Sequence, residues 1–249
     1  FKPNCPLTED SKYYISKPNL NDQIHCLVSV IPADKIGIMD GEVIKKLKTI
    51  QDQASKLGIP QMLFMKKVDK ACIQTKKDKD HDLPKQEDQG KTLKQWRTIP
   101  KKPDEMVKFL EDFKVCTQEV TELRFLLHGP VGAGKSSTFN IIKNVFEGRI
   151  PQKLFMTKVD KACIRTKKDL TMIYQSKKIK EKMTECSDLL GIPINCIFPV
   201  KNYHEETEMN EMINSLMLNA LIHTVHSAND YVKRYSDFDI SKSMYKHIE

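Results

Sequence analysis

The chain has 249 residues, of which 39% are hydrophobic and 30% charged, a composition that argues for a folded globular protein and against a disordered one. Its formal net charge of +8 suits a polyphosphate, a nucleic acid or an anionic surface, yet the excess lies in lysine-rich helix and loop stretches that read as solvated faces, so no specific nucleic-acid partner is expected. No apolar run approaches the roughly 18 residues that span a bilayer, and no basic-then-apolar leader opens the sequence, so the expectation is a soluble cytoplasmic protein with no membrane span.

In chain order, Ile24 to Ile31 (IHCLVSVI) is a continuous β-rich apolar run, the pattern of a strand buried on both faces of a parallel sheet. Asp34 and Gly37 follow in a loop. Val43, Ile44, Leu47, Ile50, Ala54 and Leu57 recur at helical spacing, and Gly58 with Pro60 ends that helix. Met62 to Met65 closes a strand, helix, strand unit of the α/β type. From Lys76 to Pro103 the chain is dense in Lys, Asp, Gln and Pro and reads as a linker. A helix is expected over about Asp104 to Glu122, then a short strand Arg124 to His128, a glycine-rich loop, and a helix to about Phe146. Tyr174 to Leu190 reads as an amphipathic helix ended by Gly191 and Pro193, Asn195 to Val200 as a strand, and Glu206 to Asn229 as a long closing helix, with a fraying polar tail beyond.

Two of these stretches are copies of each other. Ile59 to Asp78 reads IPQMLFMKKVDKACIQTKKD and Ile150 to Asp169 reads IPQKLFMTKVDKACIRTKKD, with seventeen of twenty positions identical at an offset of 91. A unit that occurs twice with unmatched flanks is a partial duplication and not a solenoid. Seven cysteines, an odd count with no CxxC pair, disfavour a disulfide framework and a zinc site and fit reduced thiols.

Gly129-Pro-Val-Gly-Ala-Gly134-Lys135-Ser136 satisfies G-x-x-x-x-G-K-[ST] in full, with an apolar strand before it and a helix after it. The glycines let successive amides of Gly129, Val131, Gly132, Ala133, Gly134, Lys135, Ser136 and Ser137 face phosphate oxygens, and the helix start adds a favourable dipole. Lys135 is suited to neutralise the β and γ oxygens, and the Ser136 hydroxyl to hold Mg²⁺. A strand-like run Lys153 to Met156 leads into Thr157-Lys158-Val159-Asp160, the [NT]KxD pattern by which a carboxylate accepts two hydrogen bonds from guanine and a lysine stem covers the base. The first copy carries Lys66-Lys67-Val68-Asp69 instead. Lys201 and Asn202, after the last strand, stand where a loop can rest on the base; an ordinary strand-ending turn fits them equally well. Asp34-Lys35-Ile36-Gly37 formally satisfies D-x-x-G. His204 with Glu205 and Glu206 reads as a helix start and not as a metal site. Trp96 reads as a lone aromatic in the linker.

Leu123 to Ile150 (LRFLLHGPVGAGKSSTFNIIKNVFEGRI), Phe155 to Cys163 (FMTKVDKAC), Ile192 to Met209 (IPINCIFPVKNYHEETEM) and Asn21 to Asp34 (NDQIHCLVSVIPAD) resemble the G domain of interferon-induced protein 44 and its 44-like relatives. The resemblance implies a cytosolic guanine-nucleotide-binding protein of the antiviral response, with GTP or GDP and Mg²⁺ as ligands and protein partners in immune signalling. It also implies that the Asp34 stretch follows the second switch and has no metal role. The chain departs from that family after Gly148, where the switch region, two strands and the D-x-x-G loop are missing, so slow hydrolysis or none is expected and no residue is assigned as catalytic.

The expected fold is therefore α/β, a parallel sheet of the P-loop NTPase kind flanked by helices, with an incomplete or permuted strand order. Residues 1–80 form a partial G-domain segment, 81–103 a charged linker, and 104–249 a partial G domain with the phosphate loop. In the expected sheet Ile24 to Ile31 lies beside Arg124 to His128, one repeat strand comes next, and Asn195 to Val200 is at the edge. A non-catalytic scaffold with a degenerate G domain and an ATP-binding P-loop enzyme remain open as alternatives.

Overall fold

The structure is a computed structural model that describes residues 18–68, 93–100, 102–147, 170–201, 203 and 208–246, the side chains of 237–246 excepted. The second repeat copy, with Thr157, Lys158 and Asp160, lies outside the described residues, as do Asp69, Asn202 and the His204 to Glu206 run. A continuous apolar β-rich run is stable in a sheet whose two faces are both covered, and β1 (Cys26–Pro32) is buried at every position. Helix α1 (Gly41–Lys56) follows, its first turn capped by the Asp40 carboxylate accepting from the Glu42 amide. Then come β2 (Gln61–Lys66), α2 (Pro103–Glu111), β3 (Phe125–His128), α3 (Lys135–Phe146), α4 (Lys177–Leu190), β4 (Ile197–Pro199) and α5 (Glu211–Lys246).

The four strands form one sheet in the order β3-β1-β2-β4, every neighbour parallel. This is the expected permuted order, and the first repeat copy supplies the strand beside β1. Strand alternation divides the core into two faces. On the first, Ile31, Leu63, Met65 and Ile197 meet Leu47 of α1 and Ile179, Met183 and Cys186 of α4. On the second, Cys26, Val28, Phe64 and Phe198 meet Met106 of α2, Ile141 and Val145 of α3 and Met217, Leu218 and Ala220 of α5.

Three helix boundaries differ from those expected. Helix α2 ends at Glu111 and not near Glu122, because the chain turns away: the Cys116 amide donates to Asn229 Oδ1 of α5 and the Thr117 hydroxyl accepts from the Glu119 amide. The Tyr174 to Leu190 helix begins only at Lys177, since Ser176 caps it by accepting from the Ile179 amide, and Leu170–Gln175 is a 3₁₀ turn. The closing helix runs from Glu211 to Lys246. No Gly or Pro stops it, Tyr231 and Val232 are buried, and the Tyr235 hydroxyl donates to the Leu57 carbonyl.

Part of the expected linker is ordered. The Arg97 guanidinium donates to the carbonyls of Ile197 (2.7 Å) and Ile194 (2.8 Å) and lies over the rings of Trp96, Tyr174 and Phe198. Trp96 packs edge-on against Tyr174 with ring centroids 5.3 Å apart, so it is a packing residue of this strap and not a lone exposed ring.

Candidate functional site

Strand β3 delivers the chain into the glycine-rich loop at the carboxyl end of the sheet, where open parallel sheets take their ligands. Gly129 has φ +147°, and a Cβ there would stand 2.2 Å from the Val30 carbonyl oxygen of β1. Only a residue without a side chain lets the loop lie this close to the neighbouring strand. Gly132 (φ +76°) and Gly134 (φ +92°) also hold left-handed backbone, with Gly134 at the N-cap of α3. Ala133 is buried under the loop and Val131 stands fully exposed at its tip.

Lys135 opens α3 and folds back over the loop, its ammonium donating to the carbonyls of Gly129 (2.9 Å) and Pro130 (3.1 Å). An ammonium has three protons, so these two bonds pin the loop and leave capacity for an anionic oxygen. Ser136 and Ser137 are exposed in the first turn of α3, and the Thr138 hydroxyl donates back to the Gly134 carbonyl at 3.0 Å. The first turn of α3 contains no acidic residue, so nothing there opposes an anion at the positive end of the helix. The eight residues predicted to bind phosphate are thus one continuous loop and helix start, and their stereochemistry fits a polyphosphate.

Two buried residues under the loop were not singled out in the sequence. Ser29 Oγ of β1 and His128 Nε2 at the end of β3 are 2.6 Å apart, and His128 Nδ1 is buried without a partner among the described residues. Burial, and secondarily the charge of Lys135, push the His128 imidazole down to about 4, so the ring under the phosphate loop is neutral near pH 7. The available signals were a serine inside an otherwise apolar strand and a histidine immediately before the first loop glycine.

At the carboxyl ends of β1 and β2, Asp34 and Lys67 form an ion pair at 3.6 Å. Asp34 Oδ1 is buried without a partner among the described residues, and Lys67 has φ +55°, an uncommon conformation for a residue with a side chain. Lys66, the last residue of β2, is fully buried, and burial pushes its ammonium down to about 7. Lys201 is buried after β4, at the opposite edge of the sheet from β3. No group of three His, Cys, Asp or Glu with metal-ligand placement occurs among the described residues, and none of their helices is long and apolar enough to cross a membrane. An open groove of about 950 Å³ lies between α1, α4 and the 3₁₀ turn Ala33–Ile38, lined by Ile36, Met39, Ile44, Leu93 and Leu189 among others. The phosphate loop contributes no residue to it.

No protein-family model and no solved structure matches this chain. Among known proteins, a 41-residue stretch (16% of the chain) is 46% identical to human interferon-induced protein 44-like, covering 9% of that protein. A 78-residue stretch (31% of the chain) is 30% identical to mouse interferon-induced protein 44, covering 18% of it. The matched stretches thus span less than a fifth of either relative. A chain with an all-parallel α/β sheet and a complete phosphate-loop sequence is, over part of its length, similar to the interferon-induced protein 44 family.

Proposed function

We propose that this protein binds a guanine nucleoside triphosphate or diphosphate, with Mg²⁺, at Gly129 to Ser137. The observation that carries the reading is the pair of bonds from Lys135 to the Gly129 and Pro130 carbonyls. They hold the ammonium over a loop whose glycines adopt left-handed backbone at the start of a helix. Main-chain amides of the loop and the Lys135 ammonium hold the phosphates, and Ser136 supplies a hydroxyl for the metal. Mg²⁺, when bound, neutralises charge on the β and γ oxygens. Hydrolysis is slow or absent, since after Gly148 the sequence departs from the resembling G domains where they carry a switch region.

Guanine preference is assigned to Thr157, Lys158 and Asp160, on the residue types of the [NT]KxD pattern. Asp69 of the first copy is the second reading, favoured by one observation: it comes three residues after Lys66, the last residue of β2, and β2 lies beside β4, the strand that leads to Lys201. The two relatives bear names that call them interferon-induced, and on that similarity we assign this chain a role in the interferon response.

Fluorescence titration with mant-GTP, mant-GDP and mant-ATP in magnesium tests the reading. Wild type binds the guanine nucleotides in preference, and Lys135→Ala weakens binding by about 10- to 100-fold, the scale of a lost charged hydrogen bond. Asp160→Asn weakens GTP binding by about 1 to 3 kcal/mol while Asp69→Asn has little effect; the reverse assigns the base to the first copy. No nucleotide binding by wild type overturns the proposal, and equal affinity for ATP removes the guanine assignment.

A further inference from the structure

We infer that the outer edge of β3 accepts a fifth parallel strand, and that its occupant is the second repeat copy of this same chain, residues 152–157. Among the described residues β3 pairs on one side only, with β1. The His25 amide donates to the Arg124 carbonyl at 2.9 Å, so by strand alternation Arg124 and Leu126 turn their main-chain groups to β1. Phe125 and Leu127 turn theirs to the open side. A bare strand edge of this kind is a template for pairing.

The side chains on that flank are apolar and only partly covered: Phe125, Leu127 and Ile142 are half-buried against the second core cluster. Leu126, on the α1 side, is 42% exposed. On the other side α3 buries Thr138, Ile141 and Val145, yet carries a second apolar stripe of Phe139 (63% exposed), Ile142 and Phe146 (38% exposed) at i, i+3 and i+7. A strand added beyond β3 extends the sheet floor beneath that stripe and flanks Leu126.

Crossover hand selects the occupant. β1 passes through α1, on the first face, to reach β2, a step away from β3. Helix α3 leaves β3 on the opposite face. Parallel crossovers keep one hand in about 98% of cases, and the same hand on the opposite face requires a step in the opposite direction, outward past the free edge of β3. Only residues 147–151 separate α3 from position 152, a five-residue connection within the usual range of about 2 to 6 between a helix and its adjacent strand. From the outer edge to β4 is four strand spacings, about 19 Å. The twelve residues 158–169 reach up to about 40 Å, and the return over α4 on the first face keeps the same hand.

The residue differences sort the two copies between the two places. Gln61 to Met65 of the first copy forms a strand in this very sheet, and the second copy repeats it as Gln152 to Met156 with Lys153 in place of Met62. Met62 is buried between β1 and β4, where a lysine is costly. A lysine is the residue that natural edge strands favour.

Residue-resolved hydrogen exchange on the 249-residue chain tests this. The Phe125 and Leu127 amides exchange at least about 100-fold more slowly than unstructured amides, and lose that protection in Leu154→Pro, while the amides of β1 and β2 stay protected and report that the variant is folded. Unprotected Phe125 and Leu127 amides in wild type overturn the inference. So does protection that survives Leu154→Pro, or that disappears on dilution, which assigns the edge to a second copy of the chain. Loss of β2 protection in Leu154→Pro also overturns it, because the second copy then occupies the central place. None of these outcomes depends on nucleotide binding.

Discussion

Gly129 of the phosphate loop lies against the Val30 carbonyl of β1 with no space between them for a side chain. The loop is therefore shaped by its neighbour strand as well as by its own sequence. Gly129→Ala is expected to displace the loop, destabilise the fold by about 1 to 3 kcal/mol and abolish nucleotide binding, as read by urea denaturation and mant-GTP titration. Gly132→Ala is the comparison: nothing lies within 4 Å of its added Cβ, so only the left-handed backbone is strained, at about 1 kcal/mol.

His128 gives stability a defined pH dependence. Its folded value of about 4 lies below the ordinary 6.5, so the unfolded chain takes up the proton first. Its contribution is full above pH 6.5, falls as pH is lowered toward 4, and is constant below that. His25 is lowered too, chiefly by burial, so the test is a difference. The stability of wild type minus that of His128→Gln, from urea midpoints across pH 4 to 7, is expected to decrease as the solution is acidified.

Lys66 acts in a different window. Burial holds its ammonium at about 7 against an ordinary 10.5, so between these values the unfolded chain binds more protons and wild type gains stability as pH rises. Lys66→Met is expected to lack that rise. Thermal denaturation of both proteins from pH 7 to 10 checks it.

The strap at Leu93 to Pro100 rests on Arg97. Arg97→Ala removes two hydrogen bonds to carbonyls and three ring contacts and is expected to cost about 1 to 3 kcal/mol. Arg97→Lys recovers little, because an ammonium lacks the planar fork that reaches both Ile194 and Ile197. Limited proteolysis within 93–100 and urea denaturation read the two effects.

Sequence patterns carried the parts of the fold that local chemistry determines. The unbroken apolar run of β1, the helical spacing from Val43 to Leu57 and the glycines of the phosphate loop each specify their own conformation, whereas the strand order was expected from the resemblance to the interferon-induced protein 44 G domain and from the chain's departure from it. The end of α2 was illegible because it is set by Asn229, more than a hundred residues away. The extension of α5 was missed because polar residues near the end hide the burial of Tyr231 and Val232. Ser29 and His128 meet across 99 residues, and no local pattern announces such a contact. The two repeat copies are too alike for propensity to decide which of them pairs with β1; the structure places Gln61–Lys66 of the first copy there.

The sheet order has a consequence for how the protein is made. Among the described strands, β1 and β2 form the middle of the sheet, and their partners β3 and β4 are synthesised about 60 and 130 residues later. Pairing of the β1-α1-β2 unit with β3 and β4 therefore waits for contacts distant in sequence, the topology that folds slowly and is most open to aggregation.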